Sequence, residues 1–271
     1  MRESDFAALL DRFALAPEGY RKVRKGVQKR IVRHMQELRC PSMKAYLERL
    51  DTDGTAEEEA RRLMDVSISR FFRDGPLWRI LEEEILPSLI ADHPGGLRVW
   101  SAGCALGQEA YSFRILWALL AEKTGAMPPL DLHATDVNPA YLERAIEGIY
   151  PAGALARVSA EARTRFFRPA GRARFRVVDE LREGIRWQLH DLTADAPPAR
   201  DFRIVFLRNN LLTYYRDEIV KAALPAIVNS IAPGGILVIG QKERLPDFLG
   251  GFHPLRSVSC LYRKRASNGM A

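Results

Sequence analysis

The pattern of apolar and polar positions divides the chain into two regions. From Ser4 to about Arg73, apolar residues recur at every third or fourth position, charged residues fill the gaps, and no alternating run reaches strand length. This pattern predicts a helical N-terminal region. After Gly75 and Pro76 one further helix is predicted, and the period then changes to short runs rich in apolar and β-branched residues. Five of these runs are predicted strands: LRVWSAG, LDLHATDV, IRWQLHDL, DFRIVFLRN and GGILVIGQ.

The gaps between these strands predict how the strands are arranged. Three of the gaps contain a helix-like stretch, which is typical of an α/β domain with a mainly parallel sheet. Helices are predicted at about 107–123, 139–147 and 216–231. Asn138 and Pro139 are a typical helix start, and APGG at 232–235 indicates the end of a helix and the entry to a strand.

The stretch 151–184 interrupts the alternation of strands and helices. Its first half, PAGALARVSAEARTRFF, is typical of a helix, and its second half, beginning RPAGRARFRVV, is typical of a hairpin. We interpret it as a small insertion inside an α/β domain of residues 75–271, which follows a helical domain of residues 1–74. The insertion is basic, with arginines at positions 163, 165, 168, 172, 174 and 176.

Charge narrows the choice of partners. The 271 residues include 41 Lys and Arg against 34 Asp and Glu, a net charge of +7, which favours an acidic partner such as a nucleic acid, an anionic protein or a membrane surface. Seven of the basic residues lie between Arg21 and Arg33 with no acidic residue among them. Such a run is usually a solvated helix face, and the absence of compensating acids leaves a docking surface as the alternative. Val23, Val27, Ile31 and Met35 are spaced to face inward.

Cysteine use and hydropathy bear on the compartment. The three cysteines are far apart and lack metal-ligand spacing, which favours reduced thiols and predicts a cytoplasmic protein. No targeting segment is recognised at the amino terminus, and no stretch approaches the roughly 18 apolar residues of a spanning helix, so membrane insertion is not expected. The five histidines are scattered, and the sequence predicts neither a metal site nor a Ser-His-Asp or Cys-His constellation.

The loop SAGCALGQEA, after the first strand, is where an open parallel sheet is expected to bind its ligand. Gly103 and Gly107 allow close approach of the backbone, but the spacing does not match the G-x-G-x-x-G of dinucleotide-binding proteins. Glu109 lies in the first turn of the following helix, where a carboxylate would repel a phosphate. A nucleoside with a cationic, phosphate-free tail fits better, and S-adenosylmethionine (SAM) is such a ligand. Alternatively, Glu109 is only an acid favoured by the helix dipole.

Three further strand tips carry polar groups. Asp136 ends the second strand, where an acid commonly accepts hydrogen bonds from both ribose hydroxyls, although it could equally cap the next helix. Asp191 and the amide of Leu192 follow the third strand and could bracket an adenine edge. The fourth strand ends in FLRNNLLTYY, which brings Arg208, Asn209, Asn210 and two tyrosines to the same rim.

Six motifs occur in the order seen in the chemoreceptor glutamate methyltransferases of the CheR type. They are SISRFFRD (67–74), SAGCALGQEAYS (101–112), HATDVN (133–138), HDL (190–192), FLRNNLLTYY (206–215) and APGGILVIGQKE (232–243). The chain resembles this family over nearly its whole length. The resemblance implies a Rossmann-like SAM-dependent methyltransferase fold with a helical N-terminal domain and a small β-hairpin insertion. It also implies transfer of a methyl group from SAM to a glutamate side chain, giving a γ-methyl ester and S-adenosylhomocysteine.

The resemblance also assigns roles to single residues. Arg73 is expected to hold the carboxylate of the donor, and Tyr214 and Arg208 are the expected catalytic residues, with Tyr214 orienting the acceptor carboxylate. The full set of residues expected to bind the donor is Ser67, Ser69, Arg73, Gly103, Glu109, Asp136, Val137, Asp191, Leu192, Arg208 and Asn209.

The chain departs from the family pattern at three places. Gln108 and Ala110 replace an acid and a proline of the usual G-E-E-P-Y-S, and Gln241 stands where the family often has His. The family usually has three residues between its Asn and the active-site Tyr. Tyr214 follows Asn209 after four residues and Asn210 after three, so either Asn could be the match.

The resemblance also bears on partners. In the family the basic helix faces the methylation region of the receptor, so Arg21 to Arg33 are expected to bind an acidic helical segment. The insertion corresponds to a β-subdomain of the family, which in some members binds a tail peptide of the receptor. One alternative is a methyltransferase for a small molecule or RNA; nucleic acid is disfavoured because the basic residues are not interleaved with aromatic ones on a strand face. Another is a donor-binding module without transfer.

Overall fold

The computed structural model of the chain describes residues 1–67, 69–125, 127–255 and 258–266. It divides into two compact units, each formed from two segments. The helical unit consists of Met1–Ile68 and Thr213–Val220, and the α/β unit consists of Ser69–Leu212 and Lys221–Ala271. The division at residue 74 drawn from the sequence stays a prediction. Among the described residues, no helix combines the length and apolar character needed to span a bilayer.

Five helices lie in the described part of the N-terminal segment of the helical unit, residues 1–67. They are α1 (Glu3–Arg12), α2 (Pro17–Tyr20), α3 (Arg24–Glu37), α4 (Met43–Thr52) and α5 (Gly54–Met64). The predicted inward face of α3 is confirmed, since Val27 and Ile31 are buried in the core of the unit and Val23 and Met35 pack against it. Three of the basic residues of α3, Lys25, Lys29 and Arg33, are exposed.

The second segment of the helical unit, Thr213–Val220, packs against the core formed by the first. Tyr214 and Tyr215 contact that core, and an isolated antiparallel bridge pairs Tyr215 with Leu15. A stretch about 150 residues away from the N-terminal helices along the chain is thus part of the same unit.

The first helix of the α/β unit is interrupted. It begins as α6 (Gly75–Ile80), widens to a π-helical turn at Leu81–Ile85 and continues as α7 (Leu86–Asp92). Pro87 explains the turn, because it has no N–H to donate to residue 83 and its ring clashes with that carbonyl. The wider turn lets the Leu86 amide bond to the Leu81 carbonyl instead. The sequence predicted a single regular helix here.

Among the described residues of the α/β unit, ten strands form two sheets. They are β1 (Leu97–Ala102), β2 (Leu130–Asp136), β3 (Ile149–Pro151), β4 (Phe167–Pro169), β5 (Arg174–Val177), β6 (Ile185–Leu189), β7 (Phe202–Leu207), β8 (Ile231–Ile239), β9 (Phe252–Pro254) and β10 (Leu261–Lys264). The larger sheet has the order β6-β2-β1-β7-β8-β10-β9. Its first five strands are parallel, and β10 pairs antiparallel with β8 and β9. The predicted α/β fold and all five predicted strands are confirmed; β9 and β10 were not predicted.

The remaining helices connect these strands. They are α8 (Gln108–Thr124), α9 (Pro139–Glu147), α10 (Ala160–Phe166), α11 (Asp179–Arg182), α12 (Leu211–Tyr214) and α13 (Asp217–Asn229), and a 3-10 turn occupies Ala152–Leu155. The helices predicted at 107–123 and 139–147 are confirmed. The helix predicted to reach residue 231 ends at Asn229 because β8 begins at Ile231 and runs through APGG. Gly234, with φ of 75°, lies in this part of β8, where the register against β7 shifts.

The insertion forms the smaller sheet, with the order β3-β5-β4 and antiparallel pairs. The predicted hairpin is confirmed as β4 and β5. The third strand, β3, begins at Ile149 and so lies partly outside the predicted bounds of 151–184. It pairs with β5 because Tyr150, which is buried, aligns with Phe175.

Asp131 ties together the starts of three parallel strands. Its carboxylate accepts hydrogen bonds from Arg98 on β1 at 2.8 Å and Arg186 on β6 at 2.7 Å, and His133 lies 3.2 Å away. Partial burial alone would raise the pKa of Asp131, but these three partners outweigh it and lower the pKa to about 2.

We expect Asp131→Asn to lower the free energy of unfolding at neutral pH by about 1–2 kcal/mol. The full linkage value is not reached, since the side chains of Arg98 and Arg186 are 40% and 73% exposed and solvent screens both ion pairs. The folded pKa is depressed, so the stabilisation is present above the unfolded pKa of about 4 and disappears as the pH falls through about 2. Urea unfolding of both proteins at pH 7 and 2.5 tests this; an equal difference at both pH values would contradict it.

Candidate functional site

The four strand tips singled out in the sequence lie on four adjacent strands of the larger sheet. The order β6-β2-β1-β7 brings the carboxyl ends of these parallel strands to one edge. The chain order reverses between β1 and β7, which is the switch point where α/β sheets bind ligands. The candidate site is therefore the set of loops that follow β1, β2, β6 and β7.

The loop after β1 is shaped by its two glycines. Gly103 has φ of 77°, and a Cβ there would collide with the side-chain amide of Asn210. Gly107 has φ of 83° and caps α8, and a Cβ there would come within 2.9 Å of Trp187. Both positions combine a left-handed backbone with tight packing, so neither accepts a side chain without strain.

Glu109 and Arg208 form the polar centre of the site. Glu109, in the first turn of α8, accepts hydrogen bonds from Ser101 Oγ and from Arg208 Nη1, each at 2.8 Å. The other terminal nitrogen of Arg208 donates to Asp74 Oδ2 at 2.5 Å. The Arg208 side chain is only 4% exposed, and Asp74 and Glu109 are 21% and 15% exposed. One buried guanidinium thus joins two acids that are 35 residues apart in sequence.

This arrangement changes the electrostatic argument made from the sequence. Burial alone would lower the pKa of Arg208, but Glu109 and Asp74 outweigh it and raise the pKa. The charge of Glu109 is therefore not free to repel a phosphate by itself, as the sequence argument assumed. Two carboxylates share one guanidinium, which leaves a local charge of −1 and still favours a cationic ligand over an anionic one.

Asp136 connects the loops after β1 and β2. Its Oδ2 accepts the Ala105 amide at 2.8 Å and its Oδ1 accepts the Asn138 amide at 2.9 Å. Asn138, rather than Asp136, caps α9, since the Asn138 side chain accepts the Ala140 amide. The Val137 amide also interacts with this carboxylate, and because a carboxylate has about four acceptor positions, Asp136 keeps some acceptor capacity beyond these amides. Burial raises the pKa of Asp136, and its backbone hydrogen bonds oppose that rise.

The adenine-side candidates lie after β6 and β2. Asp191 Oδ1 accepts hydrogen bonds from both the amide and the hydroxyl of Thr193, at 2.8 and 2.6 Å, so this carboxylate organises its own turn. Leu192 and Val137 are half-buried. His190, just before Asp191, donates its amide to the Asp136 carbonyl, which places the two loops side by side.

The segment before α6 carries two more candidates, Ser69 and Arg73, both half-buried. The Phe72 amide donates to Ser112 Oγ on α8 at 2.9 Å, and the Arg73 carbonyl accepts the indole N–H of Trp78 at 2.8 Å. Phe72 and Asp74 both have positive φ, 48° and 63°. These contacts hold a strained turn that presents Asp74 to Arg208.

Asn209 and Asn210 have different surroundings. Asn209 has φ of 55°, and its amide donates to Glu243 Oε2 at 3.0 Å. The same oxygen accepts the Gly240 amide, so Glu243 fixes the loop after β7 to the loop after β8. The Asn210 side chain donates to the Ala102 carbonyl at the end of β1. The Asn210 side chain thus binds the main chain of β1 just before the glycine loop.

Two of the candidate residues, Tyr214 and Ser67, belong to the helical unit. The carbonyl of Tyr214 accepts the Ala16 amide at 2.8 Å, and its ring packs edge-to-face on Tyr20. The hydroxyl of Ser67 is buried and has no hydrogen-bond partner among the residues that the structure describes. The structure thus brings the other ten candidates together in the α/β unit and assigns these two to the other unit.

Other reactive side chains lie apart from these loops or are inert. Burial raises the pKa of the Cys104 thiol well above its ordinary value, so this cysteine is not a nucleophile. Over the described ranges, no group of three or more His, Cys, Asp or Glu side chains is arranged to hold a metal ion.

Sequence reasoning missed the residues that support this site. Asp74 and Glu243 end two of the quoted motifs, SISRFFRD and APGGILVIGQKE, but neither was assigned a role. Asp74 lies 134 residues before Arg208 and Glu243 lies 34 residues after Asn209. A single sequence gives no signal for such pairs. The one available hint was that an acidic residue stands at the end of each motif.

Comparisons with known proteins agree with the resemblance seen in the sequence. The model of the family described as "CheR methyltransferase, SAM binding domain" matches residues 67–258. The chemotaxis protein methyltransferase of Listeria monocytogenes is 31% identical over 219 residues, which are 81% of this chain and 81% of that protein. An uncharacterized 104.1 kDa protein of Rhodobacter capsulatus is 35% identical over 231 residues, which are 84% of this chain but 24% of that protein.

Among solved structures, a TehB-like SAM-dependent methyltransferase from Corynebacterium glutamicum covers 70% of this chain and 93% of its own. The sequence identity is 17% and the TM-score is 0.38, so this likeness adds nothing to the assignment.

Proposed function

Because the chain belongs to the CheR methyltransferase family, we propose that it forms γ-methyl esters on glutamate side chains of a chemoreceptor-type protein. Membership of the family makes it a SAM-dependent methyltransferase, which confirms the cofactor predicted from the strand tips. The observation that carries the proposal is the pairing of Arg208 with Glu109 and Asp74 at the switch point of the sheet.

The residues at the strand tips fit an adenosyl sulfonium compound. Asp136 keeps acceptor capacity for the ribose, and the net charge of −1 on Arg208, Glu109 and Asp74 suits the cationic tail of the donor. Arg73 would pair with the donor's carboxylate. The bound donor supplies a methyl group already activated for in-line displacement by a carboxylate oxygen, with release of S-adenosylhomocysteine.

A glutamate acceptor needs alignment more than acid-base help. Its carboxylate is ionised at neutral pH and can attack without losing a proton, so the protein's task is to orient it in a site that excludes water. Tyr214 is proposed to orient this carboxylate by donating a hydrogen bond. Arg208 would act by holding Glu109 and Asp74 in place around the donor.

The basic run Arg21 to Arg33, which covers the turn before α3 and most of α3, is proposed to bind the acidic acceptor. Of the seven basic residues in this run, Arg24 pairs with Glu3 and Arg30 donates to the carbonyls of Leu63 and Asp65. The other five are exposed and have no acidic partner among the described residues; they are Arg21, Lys22, Lys25, Lys29 and Arg33. A helix rich in Glu would be drawn to this surface, more strongly at low ionic strength.

The proposal is tested with methyl-labelled SAM, offered with receptor cytoplasmic fragments or with RNA. We expect label in the receptor fragment that is released as methanol by mild alkali, because a methyl ester is hydrolysed there and an N-methyl group is not. Replacing Lys25 and Lys29 by Glu should raise the KM for the receptor about tenfold and leave the affinity for SAM unchanged. Alkali-stable label, or label in RNA alone, would contradict the proposed acceptor.

A further inference from the structure

Gly19 lies against the segment that carries Tyr214. A Cβ built on Gly19 would fall on the carbonyl oxygen of Thr213 and come within 2.9 Å of Tyr214 Cδ1. Gly19 lies in α2 and does not have a left-handed backbone, so its conformation does not require glycine. Alanine would favour the helix by about 1 kcal/mol. The close approach of the 213–214 backbone is therefore the reason that no side chain fits here.

Tyr20, the next residue, forms a wall for the Tyr214 ring. The two rings meet edge-to-face with their centroids 5.3 Å apart. Tyr20 is itself held firmly, since it is 2% exposed, its hydroxyl donates to the Met64 carbonyl at 3.1 Å, and its ring meets Phe6 at 5.9 Å. The orientation of the Tyr214 ring is therefore set by Tyr20, which is itself fixed by Phe6 of α1 and by Met64 at the end of α5.

The main chain on both sides of Tyr214 is also fixed by the N-terminal segment. The Ala16 amide donates to the Tyr214 carbonyl at 2.8 Å, and the Arg216 amide donates to the Ala14 carbonyl at 3.0 Å. The side chain of Arg216 pairs with Asp11 and donates to the Leu15 carbonyl. These hydrogen bonds leave the backbone at 214–216 little freedom to shift.

We infer that Gly19 and Tyr20 are positioning residues for Tyr214 in methyl transfer. This inference rests on the proposed function, in which Tyr214 orients the acceptor carboxylate. The basic helix α3 begins four residues after Tyr20 and belongs to the same unit. The surface that docks the acceptor and the side chain that orients its reacting carboxylate are therefore parts of one packed helical unit.

The test compares Gly19→Ala with Gly54→Ala, a matched change at a helical glycine of the same unit around which an added Cβ meets nothing within 4 Å. Gly19→Ala is expected to lower kcat about tenfold, with the affinity for SAM and the KM for the acceptor nearly unchanged, because misplacement of an orienting group slows the chemical step. Gly54→Ala is expected to match the wild type. Equal kcat for Gly19→Ala and the wild type would overturn the inference.

A double variant separates positioning from general damage. Tyr214→Phe removes the proposed hydrogen bond, so adding Gly19→Ala to it should cause little further loss of kcat. Two losses that multiply would show that Gly19 acts elsewhere and would overturn the inference. If Gly19→Ala does not fold, Tyr20→Leu and Tyr20→Phe take its place: the leucine variant should lose kcat, and the phenylalanine variant, which keeps the ring, should retain most of it.

Hydrogen exchange keeps this test distinct from that of the proposed function. Gly19→Ala should speed exchange of the Ala16 and Arg216 amides about tenfold, and Gly54→Ala should not. If the wild type methylates no receptor fragment, the proposed function fails whatever the exchange shows. If it does methylate, unchanged exchange in Gly19→Ala together with unchanged kcat removes the positioning role alone.

Discussion

Asp136→Asn is expected to weaken the binding of SAM at least about 100-fold, as measured by calorimetry. A hydrogen bond to a charged acceptor is worth about 1.5–3 kcal/mol, and the ribose would lose this charged acceptor. The amide that replaces one carboxylate oxygen would also face the N–H of either Ala105 or Asn138, donor against donor. The glycine loop and the start of α9 would then lose their common anchor.

Asp131→Asn provides the matched control for this change. Asp131 lies near the start of β2 and Asp136 at its end, so the same substitution is made on the same strand at opposite edges of the sheet. Both variants should be less stable than the wild type, but only Asp136→Asn should lose affinity for SAM. Normal affinity in Asp136→Asn, or an equal loss in both variants, would show that the donor site is elsewhere.

Arg208→Met is expected to destabilise the α/β unit by about 3 kcal/mol, the lower end of the range for breaking a buried ion pair, because it leaves two partly buried carboxylates without this partner. Glu109 would keep its hydrogen bond from the Ser101 hydroxyl but lose that from Arg208, and Asp74 would lose a hydrogen bond of 2.5 Å. All four tryptophans of the chain lie in this unit, so their fluorescence during urea unfolding reports its stability without a contribution from the helical unit.

Two further variants show whether the loss of stability comes from unpaired charge or from lost packing. Arg244, which is exposed, is the control, and Arg244→Met should leave the unfolding midpoint unchanged. Combining Arg208→Met with Asp74→Asn and Glu109→Gln removes the unpaired charges, so most of the lost stability should return while methyl transfer stays absent. A combined variant as unstable as Arg208→Met alone would mean that packing of the long side chain, and not charge, explains the loss.

The sequence predicted the parts of the site that depend on local pattern. Strand endings follow from alternation and turn residues, and parallel strands put their carboxyl ends at one edge, so the sequence alone could assign Asp136 and Arg208 to tips at that edge. The same reasoning identified the buried face of α3 through Val27 and Ile31. These predictions depend on period and on chain direction, both of which are properties of short segments.

The sequence did not predict the ion-pair partners that determine the local charge at these residues. Glu109 was interpreted as a free charge, whereas Arg208 neutralises part of it, and the acid that completes the pair, Asp74, lies far away along the chain. The π-helical turn before Pro87 and the extra strand β3 were missed for a related reason. Each depends on what the rest of the fold brings beside the segment, and spacing within the segment does not encode it.

The helical unit is discontinuous, since it is completed by Thr213–Val220, which lies between the two sequence segments of the α/β unit. A chimaera that takes only its first 68 residues from a relative, in order to change the receptor it recognises, would keep its own Thr213–Val220 segment. The residues that replace Gly19 and Tyr20 would then pack against a tyrosine segment from a different protein. Such a chimaera should dock its new target yet methylate it poorly. Grafting both pieces together should restore turnover.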